Sequence, residues 1–237
     1  MYSIKERVRY SETDKNGYLT LTSIVNYFQD CSTFQSEDLG VGMEFLKEHH
    51  HGWILSAWQI IVERYPKLCE EIEVSTWPTA FNGLYGTRNF MMKDKAGECV
   101  AYANSIWVFM DTEKKRPSKP TEKDIEKYKL EPELQMEYAP RKIVLPETWE
   151  EKEAFCVQKS DIDTNGHVNN SHYIQMAMEV LNENRTVEQI RVEYKKSALY
   201  GDKIFPKIHS EERKVTIKLC DVKDKPFAVV ELTGEKK

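Results

Sequence analysis

Cysteine is scarce in this chain and poorly placed for cross-linking: Cys31, Cys69, Cys99, Cys156 and Cys220 are odd in number, widely spaced and form no C-x-x-C pair. That distribution points to neither a disulfide framework nor a zinc site, and the cysteines read as buried thiols. A long apolar run is also missing. Nothing approaches the ~18 residues of a membrane span, and the opening "MYSIKERVRYSETD" is charged where a signal peptide would be apolar. The chain therefore reads as cytoplasmic, with no membrane span. An excess of positive charge is absent too: 34 Lys and Arg stand against 39 Asp and Glu, for a net charge of −5. This gives no nucleic-acid footprint. No metal or cofactor is expected.

What is present is enough apolar material for a core, with 40 % hydrophobic and 11 % aromatic residues over 237 positions. The polar stretch "SDIDTNGHVNNSHYI" at 160 to 174 has a relative in "SETDKNGYLTLTSIV" at 11 to 25. One constant offset lays Asp14, Asn16 and Gly17 on Asp163, Asn165 and Gly166, and Thr22 on Ser171. The same offset pairs Ile24, Tyr27, Phe28 and Cys31 with Tyr173, Met176, Ala177 and Val180, the i, i+3, i+4, i+7 spacing of one buried helix face. Thr22 and Ser171 are the candidate N-caps. A helix is then followed by alternating segments in each copy. "EIEVSTW" and "CVAYANSIWVFMD" follow the first, the small residues Ala101, Ala103 and Ser105 leaving room for a helix, and "QIRVEY" and "KVTIKLC" follow the second. Two antiparallel sheets, each wrapped around a helix, are expected, an α+β arrangement. Between the copies lies a charged, proline-rich stretch with a short helix predicted from Glu122 to Leu130. The expected division is residues 1–130, a linker at 131–148, and residues 149–237.

The repeated helix-then-strands order together with "DTNGHVNNSHYI" resembles the acyl-acyl carrier protein thioesterases, and that resemblance implies hydrolysis of a thioester at the second copy's polar stretch. The thiol leaving group, with a pKa of about 8.5, departs with little acid assistance, so a protein must supply mainly a base and an oxyanion site. Asp163, Asn165 and His167 stand at i, i+2 and i+4 and converge if the segment is extended. An imidazole titrates close to neutrality, so His167 can act as the base or hold the water. Asp163 could orient His167, act on the water, or attack the carbonyl. Asn165 could hold the water or polarise the carbonyl, and free N–H groups at the start of the following helix could stabilise an oxyanion. Asp163, Asn165 and Gly166 are equally ordinary turn residues. His167 is more informative, because its partner in the first copy is Tyr18. Three consecutive histidines in "EHHH" cannot all face one ion from a regular helix, and the segment reads as surface.

The helix-then-strands order, repeated, together with "DTNGHVNNSHYI", "VSTWPTAFNGLYGTRNF" and "ANSIWVFMDTEKKRPSKP", resembles the acyl-acyl carrier protein thioesterases, the bacterial relatives of the plant enzymes that release fatty acids. The resemblance implies a tandem double hotdog fold and hydrolysis of fatty acyl-acyl carrier protein, with an acyl-coenzyme A thioesterase or a non-catalytic acyl-binding regulator as alternatives. It implies that the N-terminal hotdog shapes much of the acyl pocket, with Trp77, Tyr85, Trp107, Tyr27 and Phe28 as candidates, and that the C-terminal hotdog is catalytic. The plant relatives carry a Tyr-Arg-Arg-Glu-Cys strand where this chain has "EYKKSAL", so Ser197 and Ala198 replace the glutamate and cysteine and Ser197 remains an auxiliary hydrogen-bonder. The implied partner is the acidic acyl carrier protein bearing a fatty acyl chain, with Arg88, Lys114, Lys115, Arg116 and Lys119 as a candidate docking patch. A monomer or a homodimer fits a tandem chain.

Overall fold

The computed structural model describes residues 1–181 and 185–236. In chain order the elements are β1 (Tyr2–Arg7), α1 (Leu21–Asp38), α2 (Met43–Glu48), β2 (His51–Val62), β3 (Glu71–Asn82), β4 (Tyr85–Asp94), β5 (Cys99–Asp111), β6 (Arg116–Pro117) and α3 (Glu122–Ile125). They continue with β7 (Glu150–Glu151), β8 (Phe155–Cys156), α4 (Asn170–Glu179), β9 (Arg185–Tyr194), β10 (Lys203–Ser210), β11 (Lys214–Cys220) and β12 (Pro226–Lys236). Two compact units result: Met1–Ser56 with Val62–Tyr138, and Ala57–Ile61 with the chain from Ala139 onward. Among the described residues no helix is long and apolar enough to cross a membrane.

The first unit is an antiparallel sheet in the order β1-β3-β4-β5-β2 with α1 packed chiefly on β3 and β1. Leu21, Ile24, Val25, Phe28 and Cys31 recur at helical spacing and are all buried, and Phe28 meets Phe90 of β4 with ring centroids 5.3 Å apart. Burying one such aromatic side chain is worth roughly 2–3 kcal/mol. The helix stops where Gly40, at φ +64°, takes the left-handed conformation that lets Val41 N–H return to Ser36 O at 3.0 Å. Ala101, Ala103 and Ser105 of β5 are buried, while the helix packs chiefly on β3 and β1.

The second unit repeats the scheme in shorter form. Its sheet runs β9-β12-β11-β10, with Ala57–Ile61 of β2 paired to one side of β9, β7 on β10, and α4 against β11 and β12. Tyr173, Ile174, Met176 and Ala177 form the buried face of α4. Each unit is thus a sheet curled around a helix, the α+β double hotdog.

Several local expectations need correction. The N-caps are not Thr22 and Ser171 but Thr20 and Asn169, two residues earlier and again one constant offset apart. Thr20 Oγ1 accepts Ser23 N–H at 3.2 Å and Asn169 Oδ1 accepts Ser171 N–H at 3.0 Å, while Thr22 and Ser171 already lie inside their helices. The helix predicted over 122–130 ends at Ile125, and Tyr128 beyond it turns inward and is buried. Cys69 and Cys156 are exposed and Cys99 half-buried, so only Cys31 and Cys220 are the buried thiols expected of all five. His51 is no loose surface residue: its Nδ1 lies 2.9 Å from the buried Asp124 carboxylate.

Thr20→Ala and Asn169→Ala should each lower stability by about 1 kcal/mol, seen as a lower urea midpoint at unchanged slope, whereas Thr22→Ala should stay within about 0.5 kcal/mol of the parent.

Candidate active site

The polar stretch of the second unit is a closed turn. Asp163 N–H donates to His167 O at 2.8 Å, and Gly166 N–H donates back to Asp163 O at 3.0 Å. The Asp163 carboxylate closes it from inside, Oδ1 accepting Asn165 N–H at 2.8 Å and His167 N–H at 3.3 Å. Gly166 sits at φ +77°, a conformation that favours glycine over any residue with a Cβ. The first unit builds the same turn. Asp14 Oδ1 accepts the Asn16 and Tyr18 amides, both at 2.9 Å, and Gly17 also stands at φ +77°. A carboxylate is a strong acceptor for two converging amides, which explains the Asp-x-Asn-Gly pattern in both copies without any catalytic role.

This geometry overturns the extended segment on which the convergence of Asp163, Asn165 and His167 rested. Asp163 acts on the peptide groups of the turn. Among the described residues no hydrogen bond joins its carboxylate to the His167 ring. Asn165 and His167 are exposed, and among the described residues their side chains make no hydrogen bond. The head of α4 is also less open to an oxyanion than expected, since the Ser171 and His172 amides are already bonded to Asn169. His172 itself is structural, its Nδ1 3.0 Å from Asp161 Oδ1.

Tertiary contacts bring one further segment to the turn. The residue after His167, Val168, donates its N–H to Ala198 O at 3.0 Å, and Ala198 N–H donates to the Tyr173 hydroxyl at 2.7 Å. Both peptide groups of Ala198 are thereby held, and the exposed Ser197 stands beside the turn, between β9 and β10. Tyr194 completes the support: its hydroxyl donates to Asn170 O at 2.9 Å and its ring meets that of Tyr173 edge-on at 5.9 Å. Burial pushes the Tyr173 phenol up to about 12, so it remains a neutral hydroxyl at all ordinary pH. Periodicity alone marks Tyr173 as core. The hint of a further role was its hydroxyl, which a buried tyrosine must pair.

The first-unit candidates separate on inspection. Phe28 is core, and Trp77 is buried with its indole N–H donating to Pro132 O at 2.9 Å. Trp107 is half-buried, donating to Ser105 Oγ at 2.7 Å, and Tyr85 is 39 % exposed. Tyr27 is a poor neighbour for an acyl chain, because its hydroxyl donates to Glu12 Oε2 at 2.6 Å in a pocket of about 100 Å³ that Glu6, Arg9 and Asp30 also line. Arg88 is the clearest correction. It is buried under α1, donating to Gln35 and Thr76, and so has no charge to offer a docking protein. Lys114, Lys115, Arg116 and Lys119 are exposed around β6, Lys114 pairing with Asp111 at 3.0 Å. No metal-binding cluster occurs among the described residues.

Tyr173→Phe should leave the Ala198 amide buried without its acceptor. A loss of about 1–3 kcal/mol and faster hydrogen exchange at Ala198 are expected, measured by urea unfolding and amide exchange.

Known proteins place this geometry in context. The model of the acyl-ACP thioesterase N-terminal domain matches residues 1–128, and that of the acyl-ACP thioesterase C-terminal domain matches residues 146–231. A chloroplastic acyl-acyl carrier protein hydrolase of Cuphea viscosissima is 34 % identical over 138 residues, 54 % of this chain and 32 % of that protein. The oleoyl-acyl carrier protein thioesterase 2 of Arabidopsis thaliana is 25 % identical over 197 residues, 75 % of this chain and 54 % of that protein. The matched region is thus a third to about half the length of these relatives. The crystal structure of an acyl-ACP thioesterase from Bacteroides thetaiotaomicron shares the fold, with a TM-score of 0.89 at 23 % identity over 98 % of this chain and 97 % of that one. With both domain models matched in order along a repeated helix-and-sheet unit, the chain belongs to the acyl-ACP thioesterase family.

Proposed function

We propose that this chain hydrolyses the thioester of fatty acyl-acyl carrier protein, releasing the free fatty acid and ending chain elongation. The observation that carries the reading is the difference between two otherwise matching turns: the second ends in His167, whose ring is exposed and makes no hydrogen bond among the described residues, where the first ends in Tyr18. A water held by His167 and the Asn165 amide loses its proton to the imidazole as it attacks the thioester carbon. The carbonyl bond re-forms as the thiolate leaves, and the imidazolium returns the proton to the thiolate or to solvent. Asp163 positions both side chains through the two amides it accepts. Ser197, in the place of a glutamate, is at most a hydrogen-bonder to the water.

In this reading residues 149–237 form the catalytic hotdog and residues 1–130 the acyl side, with Phe28, Trp77, Tyr85 and Trp107 as the candidate neighbours of the chain. Lys114, Lys115, Arg116 and Lys119 form the docking patch for the acidic carrier protein.

The test is hydrolysis of one acyl chain carried on acyl carrier protein and on coenzyme A. Faster turnover of the carrier-protein substrate is expected, with His167→Ala lowering kcat by ~10²–10⁴-fold. A folded His167→Ala variant with parental activity would refute the site, and a parent inactive on both carriers would refute the activity. Replacing Lys115 and Arg116 together by glutamate should raise KM for the carrier-protein substrate at low salt and leave that for the coenzyme A substrate unchanged, the difference shrinking as salt is added.

A further inference from the structure

Arg88 is a buried cation with no counter-ion among the described residues. It lies in β4 with 8 % of its surface exposed, and no carboxylate pairs with it among the described residues. Its partners are neutral: Nη1 donates to Gln35 Oε1 of α1 and, at 3.2 Å, to Thr76 Oγ1 of β3, and the Tyr128 ring lies 5.5 Å from Cζ. Burial brings the guanidinium down to about 10, so it stays charged at neutral pH. Nε and Nη2 have no acceptor among the described residues. These two nitrogens form the side-on edge of the guanidinium, where two parallel N–H bonds fit both oxygens of a carboxylate.

The surroundings describe the rest of the ligand. Beyond Tyr128 the neighbours are aromatic, Phe81 lying 5.8 Å from the Tyr128 ring and Trp53 5.6 Å from Phe81. Tyr128 is held in place by its hydroxyl, 2.7 Å from Ser36 Oγ of α1. A charge taken out of water without a partner is costly, and the cost is recovered when a ligand brings the opposite charge. Aromatic rings beside that charge favour an aliphatic tail over a small polar anion.

We propose that the first unit binds the carboxylate of an aliphatic chain on the free Nε–Nη2 edge of Arg88. The carboxylate has two sources: a second, terminal carboxylate on the acyl group of the thioester, or a free fatty acid from solution. The first source rests on the thioesterase reading above; the second does not.

The free acid is tested by calorimetry on the full chain with ten-carbon ligands: decanoate, sebacate, and decan-1-ol as the neutral control. The parent should bind the carboxylates at least about 30-fold more tightly than the alcohol. Arg88→Met should remove that preference, and Arg88→Lys should restore part of it. The acyl source is tested by the kcat/KM ratio of carrier-bound thioesters of equal length ending in carboxylate or methyl, a ratio that should fall by about 30-fold or more in Arg88→Met. Carboxylate binding with no hydrolysis of either thioester supports this site and refutes the thioesterase reading. A parent that binds acid and alcohol equally and hydrolyses both thioesters with the same kcat/KM refutes the site without recourse to any variant. So does a folded Arg88→Met variant whose carboxylate preference is unchanged in both assays.

Discussion

An aspartate carboxylate accepting two backbone amides of the turn ahead of a helix is the contact on which each half of this protein depends. Asp14 does it before α1 and Asp163 before α4, with the glycine of each turn at φ +77°. The turn sets where the following residues enter the helix, and hence which face of the helix meets the sheet. The caps at Thr20 and Asn169 and the buried stripes that follow inherit this geometry. The N–H groups concerned would otherwise need other partners, so one side chain secures the entry to the core element of the unit.

Because the turn is structural in both copies, divergence is confined to what it presents. Both positions are exposed, but Tyr18 lies under the Lys67 ammonium, 5.8 Å from its ring centroid, where the second turn presents the His167 imidazole. The backbone after each is anchored from a different direction: Leu19 N–H donates to Pro66 O at 2.7 Å, and Val168 N–H to Ala198 O at 3.0 Å. In the second unit that anchor comes from the loop carrying Ser197, itself held by Tyr173. A support that reaches the turn from a distant part of the chain brings Ser197 beside it.

Much of this was legible beforehand. The constant offset, the buried helix faces and the alternating strands follow from periods of 3.6 and 2, which the residue types display directly. Spacing alone places the caps two residues too late, because Thr20, Thr22, Asn169 and Ser171 are all competent caps and only the backbone shows that Thr20 and Asn169 precede the helices. Arg88 was misplaced because a charged residue in a strand reads as surface; only the arrival of Gln35, Thr76 and Tyr128 from three other segments makes the site interior.

By itself the sequence determined the duplication, the helix-and-sheet units, and the single histidine that sets the second turn apart, since each depends on residue type and local spacing. Tertiary structure alone decided that Tyr173 fixes the loop beside His167, and that a guanidinium lies buried with no anion beside it among the described residues. The reason is physical: hydrogen-bond partners and burial depend on which distant segments meet, and residue spacing along the chain does not specify that.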